Sequence, residues 1–263
     1  MAISMQAVFA EFFAMMFFVF FCAGSAATTG ASNPLQVALS FGFCITALAY
    51  TIGHKSGGHI NCAVTLGLVI VGACSPRQGA ADFGAQMVGA ITGAILVVIC
   101  VEDMNDQTST LGIYVISPTV GVGSALAGEF VCTFFLMYVV LQTACNPRAA
   151  SNRSFAPFAI GLAVYLAHSF LIPIDGCSIN PTRSFGPAVV ATLFGRLNEP
   201  TDSHAKDNVW ADQWVFWVGP LAGSACAAIL FKFIEGEEIE KAVSAWREDG
   251  IEKEGIEKED IEG

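Results

Sequence analysis

The chain has 263 residues, of which 54% are hydrophobic and only 13% are charged, and its mean hydropathy is +0.60. This composition excludes an ordinary soluble domain and indicates segments that lie in lipid. The formal net charge is −11, but residues 235–263 hold twelve acids and four bases, so −8 of that charge lies at the C-terminal end. The rest of the chain is nearly neutral, and no nucleic-acid partner is expected because no basic patch is present.

Six apolar segments are long enough to cross a lipid bilayer, and two further segments are about half that length. The six predicted spans cover about 6–27, 36–54, 82–101, 124–144, 156–173 and 213–234. The two half-spans cover about 62–72 and 181–193. The lipid bilayer is therefore the expected environment of the chain.

The two half-spans begin with the same design. Each half-span follows a short segment that contains glycine. Each begins at an asparagine that can cap a helix, Asn61 in the first half-span and Asn180 in the second. Glu11 precedes Asn61 by 50 residues, and Glu129 precedes Asn180 by 51. Such duplication predicts two inverted halves, about 1–115 and 116–234, whose half-helices direct their positive ends at a site in mid-membrane.

One arginine, Arg183, lies among these apolar segments. It follows Asn180 by three residues, at the start of the second half-helix. A lone cation is costly to bury in a membrane protein, so an ionisable residue at this depth indicates a functional site.

These residues resemble the markers of the aquaporins, the major intrinsic protein family, in which Asn-Pro-Ala occurs twice after re-entrant loops. The chain has Asn61-Cys62-Ala63 and Asn180-Pro181-Thr182, so it departs from the marker once in each copy. The resemblance covers roughly residues 5 to 234. It implies an all-α integral membrane fold with six transmembrane helices and two re-entrant half-helices in an inverted repeat.

The resemblance also implies a selectivity filter. The positions of the family's filter carry Phe41, His168, Cys177 and Arg183. This set is similar to the narrow, polar filter of the water-selective branch, in which the ring limits the diameter and the arginine repels cations. We expect the thiol of Cys177 to line the lumen and to be reachable from outside.

The pore centre is expected at the two markers, that is at Asn61, Cys62, Ala63, Asn180, Pro181 and Thr182. Both asparagine amides would donate to one central water, which interrupts a proton wire. A ladder of backbone carbonyls is expected from Gly57, Gly58, His59, Ile60, Gly176, Cys177, Ser178 and Ile179. Glu11 and Glu129 are expected to hold the loop backbones, with a proton relay as the alternative.

The two departures from the marker leave alternatives open. Cys62 places a thiol at a helix N-terminus, where it is either a redox-sensing or metal-reactive group or a tolerated small substitution. The hydroxyl of Thr182 either bonds back to its helix or alters the lumen.

The prediction for function is a passive water channel that excludes ions and protons and assembles as a homotetramer, with water as the permeant. The alternatives are a broader channel for glycerol, urea, ammonia or peroxide, and a membrane adhesion or scaffold protein. No catalytic dyad or metal-ligand spacing is seen, so no enzyme, cofactor or metal is expected. Charge bias at the span ends places both termini in the cytoplasm, through Lys55, Arg77, Arg148, Arg153 and Lys232.

The C-terminal segment, residues 235–263, is predicted to be an acidic cytoplasmic tail outside the channel domain of residues 1–234. Its composition is typical of disorder, with a short amphipathic helix over about 237–247.

Overall fold

A computed structural model describes residues 3–102, 105–108, 110–197 and 209–236. The helix predicted over 237–247 lies outside the described residues. The described α-helices are α1 Met5–Thr29, α2 Pro34–Ser56, α3 Cys62–Val71, α4 Pro76–Cys100, α5 Val122–Val140, α6 Ala156–Asp175, α7 Pro181–Leu193 and α8 Val215–Gly236. A π-helical turn, Leu141–Cys145, extends α5, and a 3-10 segment, Pro147–Phe155, leads into α6.

Six of these helices are long and apolar enough to cross a membrane, namely α1, α2, α4, α5, α6 and α8. The other two are too short to do so. α3 has 10 residues and α7 has 13. At 1.5 Å per residue they extend about 15 and 20 Å, whereas the hydrocarbon core is about 30 Å thick. The predicted all-α fold with six spans and two half-length helices is confirmed.

Successive spans run in opposite directions, so α1 begins and α8 ends on one face, here called the terminal face. The opposite face is called the far face. α3 starts in the interior and returns to the terminal face, because only residues 72–75 separate it from the start of α4. α7 starts in the interior and runs to the far face, because α6 ends at the far face and α8 begins there. The two half-helices therefore enter the bundle from opposite faces.

Glycines allow the spans of each half to pack backbone against backbone. In the first half, a Cβ added at Gly93 of α4 would collide with the carbonyl oxygen of Met16 in α1. In the second half, a Cβ added at Gly223 of α8 would collide with the carbonyl oxygen of Phe130 in α5. Small residues at such contacts allow membrane helices to pack closely without a hydrophobic driving force. The equivalent contacts in the two halves agree with the predicted internal repeat.

We predict that Gly93→Ala destabilises the bundle while Gly84→Ala does not. The methyl group at position 93 meets the fixed backbone of α1, and overpacking of this kind typically costs about 1–3 kcal/mol. Gly84 lies on the exposed side of the same helix with nothing within 4 Å of an added Cβ. The melting temperature of the purified protein in detergent is the measurement, and equal melting temperatures for the two variants would contradict this account of the α1–α4 contact.

Candidate functional site

The first re-entrant loop, residues 57–60, is held by Glu11 of α1. One carboxylate oxygen of Glu11 accepts from the backbone N–H of His59 at 2.9 Å, and the other accepts from that of Ile60 at 2.7 Å. Ser56 and Gln86 also donate to this carboxylate, at 2.6 and 2.8 Å. Glu11 is fully buried. A buried carboxylate is stable here because four donors surround it.

The second re-entrant loop, residues 176–179, is held in the same way by Glu129 of α5. Its two oxygens accept from the backbone N–H groups of Ser178 at 2.6 Å and Ile179 at 2.7 Å. Glu129 is fully buried as well. The two glutamates thus make equivalent contacts in the two halves, since each accepts from two backbone N–H groups of its loop.

The loops have strained backbones immediately before the asparagines. Ile60 has φ of 50° and Ile179 has φ of 44°, in the left-handed region that β-branched residues rarely adopt. Such conformations persist only where the surroundings impose them, and they cluster at functional sites. In each loop, the N–H of the strained isoleucine is one of the groups bound by the glutamate.

Asn61 and Asn180 link the two halves at the centre of the bundle. The Asn61 amide nitrogen donates to the carbonyl of Ile179 at 2.7 Å, and that of Asn180 donates to the carbonyl of Ile60 at 2.8 Å. Their side-chain oxygens cap α3 and α7, accepting from the backbone N–H groups of Ala63 and Arg183, respectively. Because an amide carries two N–H donors, each asparagine keeps one for another acceptor.

The two residues that depart from the Asn-Pro-Ala marker contact each other. The hydroxyl of Thr182 donates to the side-chain oxygen of Asn180 at 2.7 Å. The thiol of Cys62 lies close to Thr182. Thr182 therefore bonds back to the start of its own helix, one of the two alternatives for this residue. Both side chains are buried, as are Ala63 and Pro181.

A cavity of about 360 Å³ extends from the terminal face towards the bundle centre. It is lined near that face by Ala73 and Cys145 and in the interior by both asparagines and by His168. The members of the predicted carbonyl ladder that line it are Gly57, Gly58, His59, Ser178 and Ile179. The other members, Ile60, Gly176 and Cys177, do not line this cavity.

At the inner end of the cavity, three of the predicted filter residues come together. The rings of Phe41 and His168 have centroids 3.9 Å apart, and the guanidinium carbon of Arg183 lies 5.2 Å from the Phe41 ring centroid. His168 Nδ1 bonds the carbonyl of Val164 at 2.8 Å, so Nε2 is left as an acceptor. Within the described part of the chain, His168 Nε2 and Arg183 Nε and Nη1 are buried without a hydrogen-bond partner. The site therefore offers donors and an acceptor to a small polar molecule.

Tyr114, in the connection between α4 and α5, is a member of this site that the sequence did not reveal. The guanidinium carbon of Arg183 lies 3.8 Å from the Tyr114 ring centroid. Gly112, two residues before Tyr114, accepts from Arg183 Nη2 at 3.0 Å through its carbonyl. Burial raises the pKa of the Tyr114 phenol well above its usual value, so the ring stays neutral and holds the arginine by a cation–π contact.

The expectation of a solvated Cys177 thiol was wrong for this conformation, because Cys177 is fully buried. Its neighbour Gly176 lies directly against the Tyr114 ring, since a Cβ added at Gly176 would be 2.8 Å from that ring. Tyr114 also contacts Phe216, with ring centroids 5.8 Å apart. The aromatic ring thus packs over the second loop, a contact that motif spacing could not predict.

Six span-length helices around two half-helices that meet inside the bundle, with a cavity between them, define an integral, multi-pass membrane channel. The major intrinsic protein model matches residues 2–231, so the chain belongs to that family, the aquaporins. The resemblance inferred from the motifs is confirmed. Members of this family are channels for small solutes and not enzymes.

Known proteins of this family match most of the chain. It is 39% identical to aquaporin-5 of Homo sapiens over 232 residues, covering 88% of the chain and 81% of the relative. It is 34% identical to aquaporin-1 of Ovis aries over 270 residues, covering 97% and 93%. The solved aquaglyceroporin of Plasmodium falciparum superposes with a TM-score of 0.77 at 19% identity, covering 90% of the chain and 99% of that structure. This last likeness concerns the fold alone.

Replacing Glu129 by Gln is predicted to destabilise the second loop. One carboxylate oxygen becomes an amide nitrogen that cannot accept from Ser178 or Ile179, which leaves a buried N–H unsatisfied at a cost of about 1–3 kcal/mol. The melting temperature and the protease resistance of the purified protein should both fall. Glu102→Gln, at an exposed position after α4, is the matched control and should change neither. A Glu129→Gln protein as stable as the control would contradict the supporting role.

Tyr114→Ala should make Cys177 accessible to thiol reagents from the far face. Removing the ring exposes the second loop, so the rate at which a small water-soluble mercurial labels Cys177 should rise by roughly tenfold or more, as expected if local opening becomes about 1.4 kcal/mol easier. Mass spectrometry of the Cys177 peptide measures the rate. Tyr50→Ala, an exposed tyrosine of α2, is the control. Fast labelling of Cys177 in the unmodified protein would show that Tyr114 does not cover it.

Proposed function

We propose that this protein is a passive water channel that excludes ions and protons. The observation that carries the proposal is the constriction of Phe41, His168 and Arg183, in which an aromatic wall meets a cation and an imidazole acceptor within a few ångströms. The ring of Phe41 and the bulk of His168 restrict the passage to a small molecule. The buried polar atoms of His168 and Arg183 replace the hydrogen bonds that water gives up on entering.

Exclusion of cations follows from fixed positive charge and from the helix dipoles. Arg183 places a full charge at the constriction, and the N-termini of α3 and α7 meet at Asn61 and Asn180. A water molecule between the asparagines would accept from both amides and direct its own hydrogens away. Such an orientation interrupts the chain of donors and acceptors along which a proton would move.

A broader channel for glycerol, urea, ammonia or peroxide is the second candidate. The two departures from the marker, Cys62 and Thr182, are what favours it, because they change the side chains next to the two asparagines at the pore centre. The narrow, polar constriction argues against it, because glycerol needs a wider passage with an apolar side. A membrane scaffold is less well supported, since a scaffold has no need for buried donors at a constriction.

The remaining proposals concern orientation and assembly. We infer that the terminal face is cytoplasmic, because Lys55, Arg77, Arg148, Arg153 and Lys232 flank the spans on that face. Residues 235–263 would then be a cytoplasmic tail. We also infer a homotetramer with one pore in each subunit, as implied by the family. The apolar side chains exposed along α1, such as Phe9, Phe13 and Phe17, would face lipid or another subunit.

Stopped-flow light scattering of proteoliposomes tests the proposal and the filter together. The unmodified protein should accelerate osmotic shrinkage in sucrose and give little glycerol or urea flux. The double variant Arg183→Ala, His168→Ala removes bulk and polar anchors, so glycerol flux should rise by roughly tenfold, as expected for a barrier lowered by about 1.4 kcal/mol.

Arg196→Ala is the matched control, because this buried arginine lies outside the constriction and bonds the carbonyl of Val101 at 2.8 Å. It should leave the ratio of glycerol to water flux unchanged. Equal glycerol and water flux through the unmodified protein would favour the broader channel. An unchanged ratio in the double variant would place the selective step elsewhere, at Cys62 and Thr182.

A further inference from the structure

Three side chains of the metal-ligating type come together near the terminal face. They are His59 of the first loop, Cys74 of the α3–α4 connection and Asp82 of α4, and all three are buried. One ligand atom from each lies within 4.8 Å of the other two. The three residues do not form a recognisable metal-binding spacing in the sequence, which is why no metal was expected there.

Asp82 provides an independent indication of a ligand. Its Oδ1 accepts from Gln78 Nε2 at 2.7 Å, so one oxygen is fixed in orientation. Its Oδ2 is buried and has no hydrogen-bond partner among the described residues. The separation between Oδ2 and His59 Nδ1 is 3.9 Å, which is too long for a hydrogen bond. A buried carboxylate oxygen without a protein partner is costly, and binding a cation is one of the ordinary ways in which such an oxygen is satisfied.

The other two groups have contacts that a metal can replace. His59 Nδ1 lies 3.2 Å from the hydroxyl of Thr65, whose oxygen also accepts from Gln86 and donates to the carbonyl of Asn61. Cys74 Sγ has a 3.5 Å contact with the carbonyl of Ser75, the next residue. Neither contact would leave a buried group unsatisfied if the imidazole and the thiol turned towards Asp82.

We propose that His59, Cys74 and Asp82 form a binding site for one divalent cation of the zinc type. Zinc binds sulfur, imidazole nitrogen and carboxylate oxygen together, at about 2.0–2.3 Å, so tetrahedral ligand atoms lie roughly 3.3–3.8 Å apart. In a set of one sulfur, one nitrogen and one oxygen the longest of these separations is about 3.6 Å. The Nδ1–Oδ2 separation of 3.9 Å is close to that value, and separations of up to 4.8 Å need to contract by at most about 1.2 Å. A water molecule takes the fourth position.

The charges of the proposed site balance. Binding releases one proton, from the thiol of Cys74, to solvent. The resulting thiolate and the Asp82 carboxylate together neutralise the two positive charges of the ion, and His59 binds as the neutral imidazole. No oxidation or reduction takes place. The hard cations Mg²⁺ and Ca²⁺ prefer sites made only of oxygen, so they should compete poorly.

The site is adjacent to the cavity, which gives the ion a path of entry. His59 and Ala73, the residue before Cys74, both line the cavity described above. The backbone of His59 is held by Glu11 in α1, whereas Asp82 belongs to α4. A bound ion would therefore fasten the first re-entrant loop to α4. This function goes beyond the proposed water conduction, and metal binding can be measured without any flux assay.

The test uses the full chain without an affinity tag, purified in detergent and freed of metal by a chelator. Co²⁺ serves as a spectroscopic probe, and Zn²⁺ affinity is measured by competition with a chromogenic chelator. One equivalent of Co²⁺ should give the charge-transfer absorption of a thiolate ligand and the visible bands of a tetrahedral site. Zn²⁺ should bind with one-to-one stoichiometry and raise the melting temperature.

Cys74→Ser should abolish the thiolate charge-transfer band, and Asp82→Asn should weaken Zn²⁺ binding by about tenfold or more. Cys226→Ser, at an exposed cysteine of α8, is the matched control and should bind like the unmodified protein. Circular dichroism of each variant confirms that it is folded. An unmodified protein without the charge-transfer band, or a folded Cys74→Ser variant with unchanged zinc affinity, would overturn the proposal.

Discussion

The structure depends on two buried carboxylates that satisfy irregular backbone at membrane depth. In the interior of a bilayer no water replaces a missing hydrogen bond, so a non-helical segment there leaves N–H groups that each cost several kcal/mol. Glu11 and Glu129 accept two such groups each, one in each re-entrant loop. This binding allows α3 and α7 to begin in the middle of the bundle. The cavity and the constriction exist because those two helices do not cross the whole bundle.

Hydrogen bonds between the two halves hold the centre of the protein together. Each asparagine caps its own half-helix and donates to a carbonyl of the opposite loop, so neither loop is positioned alone. The departures from the family marker fall at this same junction. Cys62 and Thr182 come from different halves and lie close to each other, so the two departures from the marker fall at one place in the structure. The hydroxyl of Thr182 also fixes the oxygen of Asn180 and so leaves the amide nitrogen directed at acceptors.

The two faces of the bundle differ in how the passage is bounded. On the terminal side lies the cavity of about 360 Å³, which is lined mostly by apolar side chains and loop backbone. On the far side, the side chains of Phe41, His168 and Arg183 lie close to one another. The connection between α4 and α5 adds Tyr114 and the carbonyl of Gly112 to this group. In the proposed channel, selection would be concentrated in this short segment, where His168 and Arg183 offer buried polar atoms. The zinc-type site proposed at His59, Cys74 and Asp82 lies at the opposite end, beside the cavity.

The sequence by itself determined the six spans, the two half-helices and the residues at their starts, because hydropathy, helix capping and a duplicated motif are local properties. Its spacing also identified Glu11 and Glu129, since each precedes its asparagine by nearly the same number of residues. Only the tertiary structure decided that Tyr114 covers Arg183, that Cys177 is buried, and that His59, Cys74 and Asp82 meet. These contacts join loops to distant helices, and their geometry follows from packing, which leaves no periodic trace in the sequence.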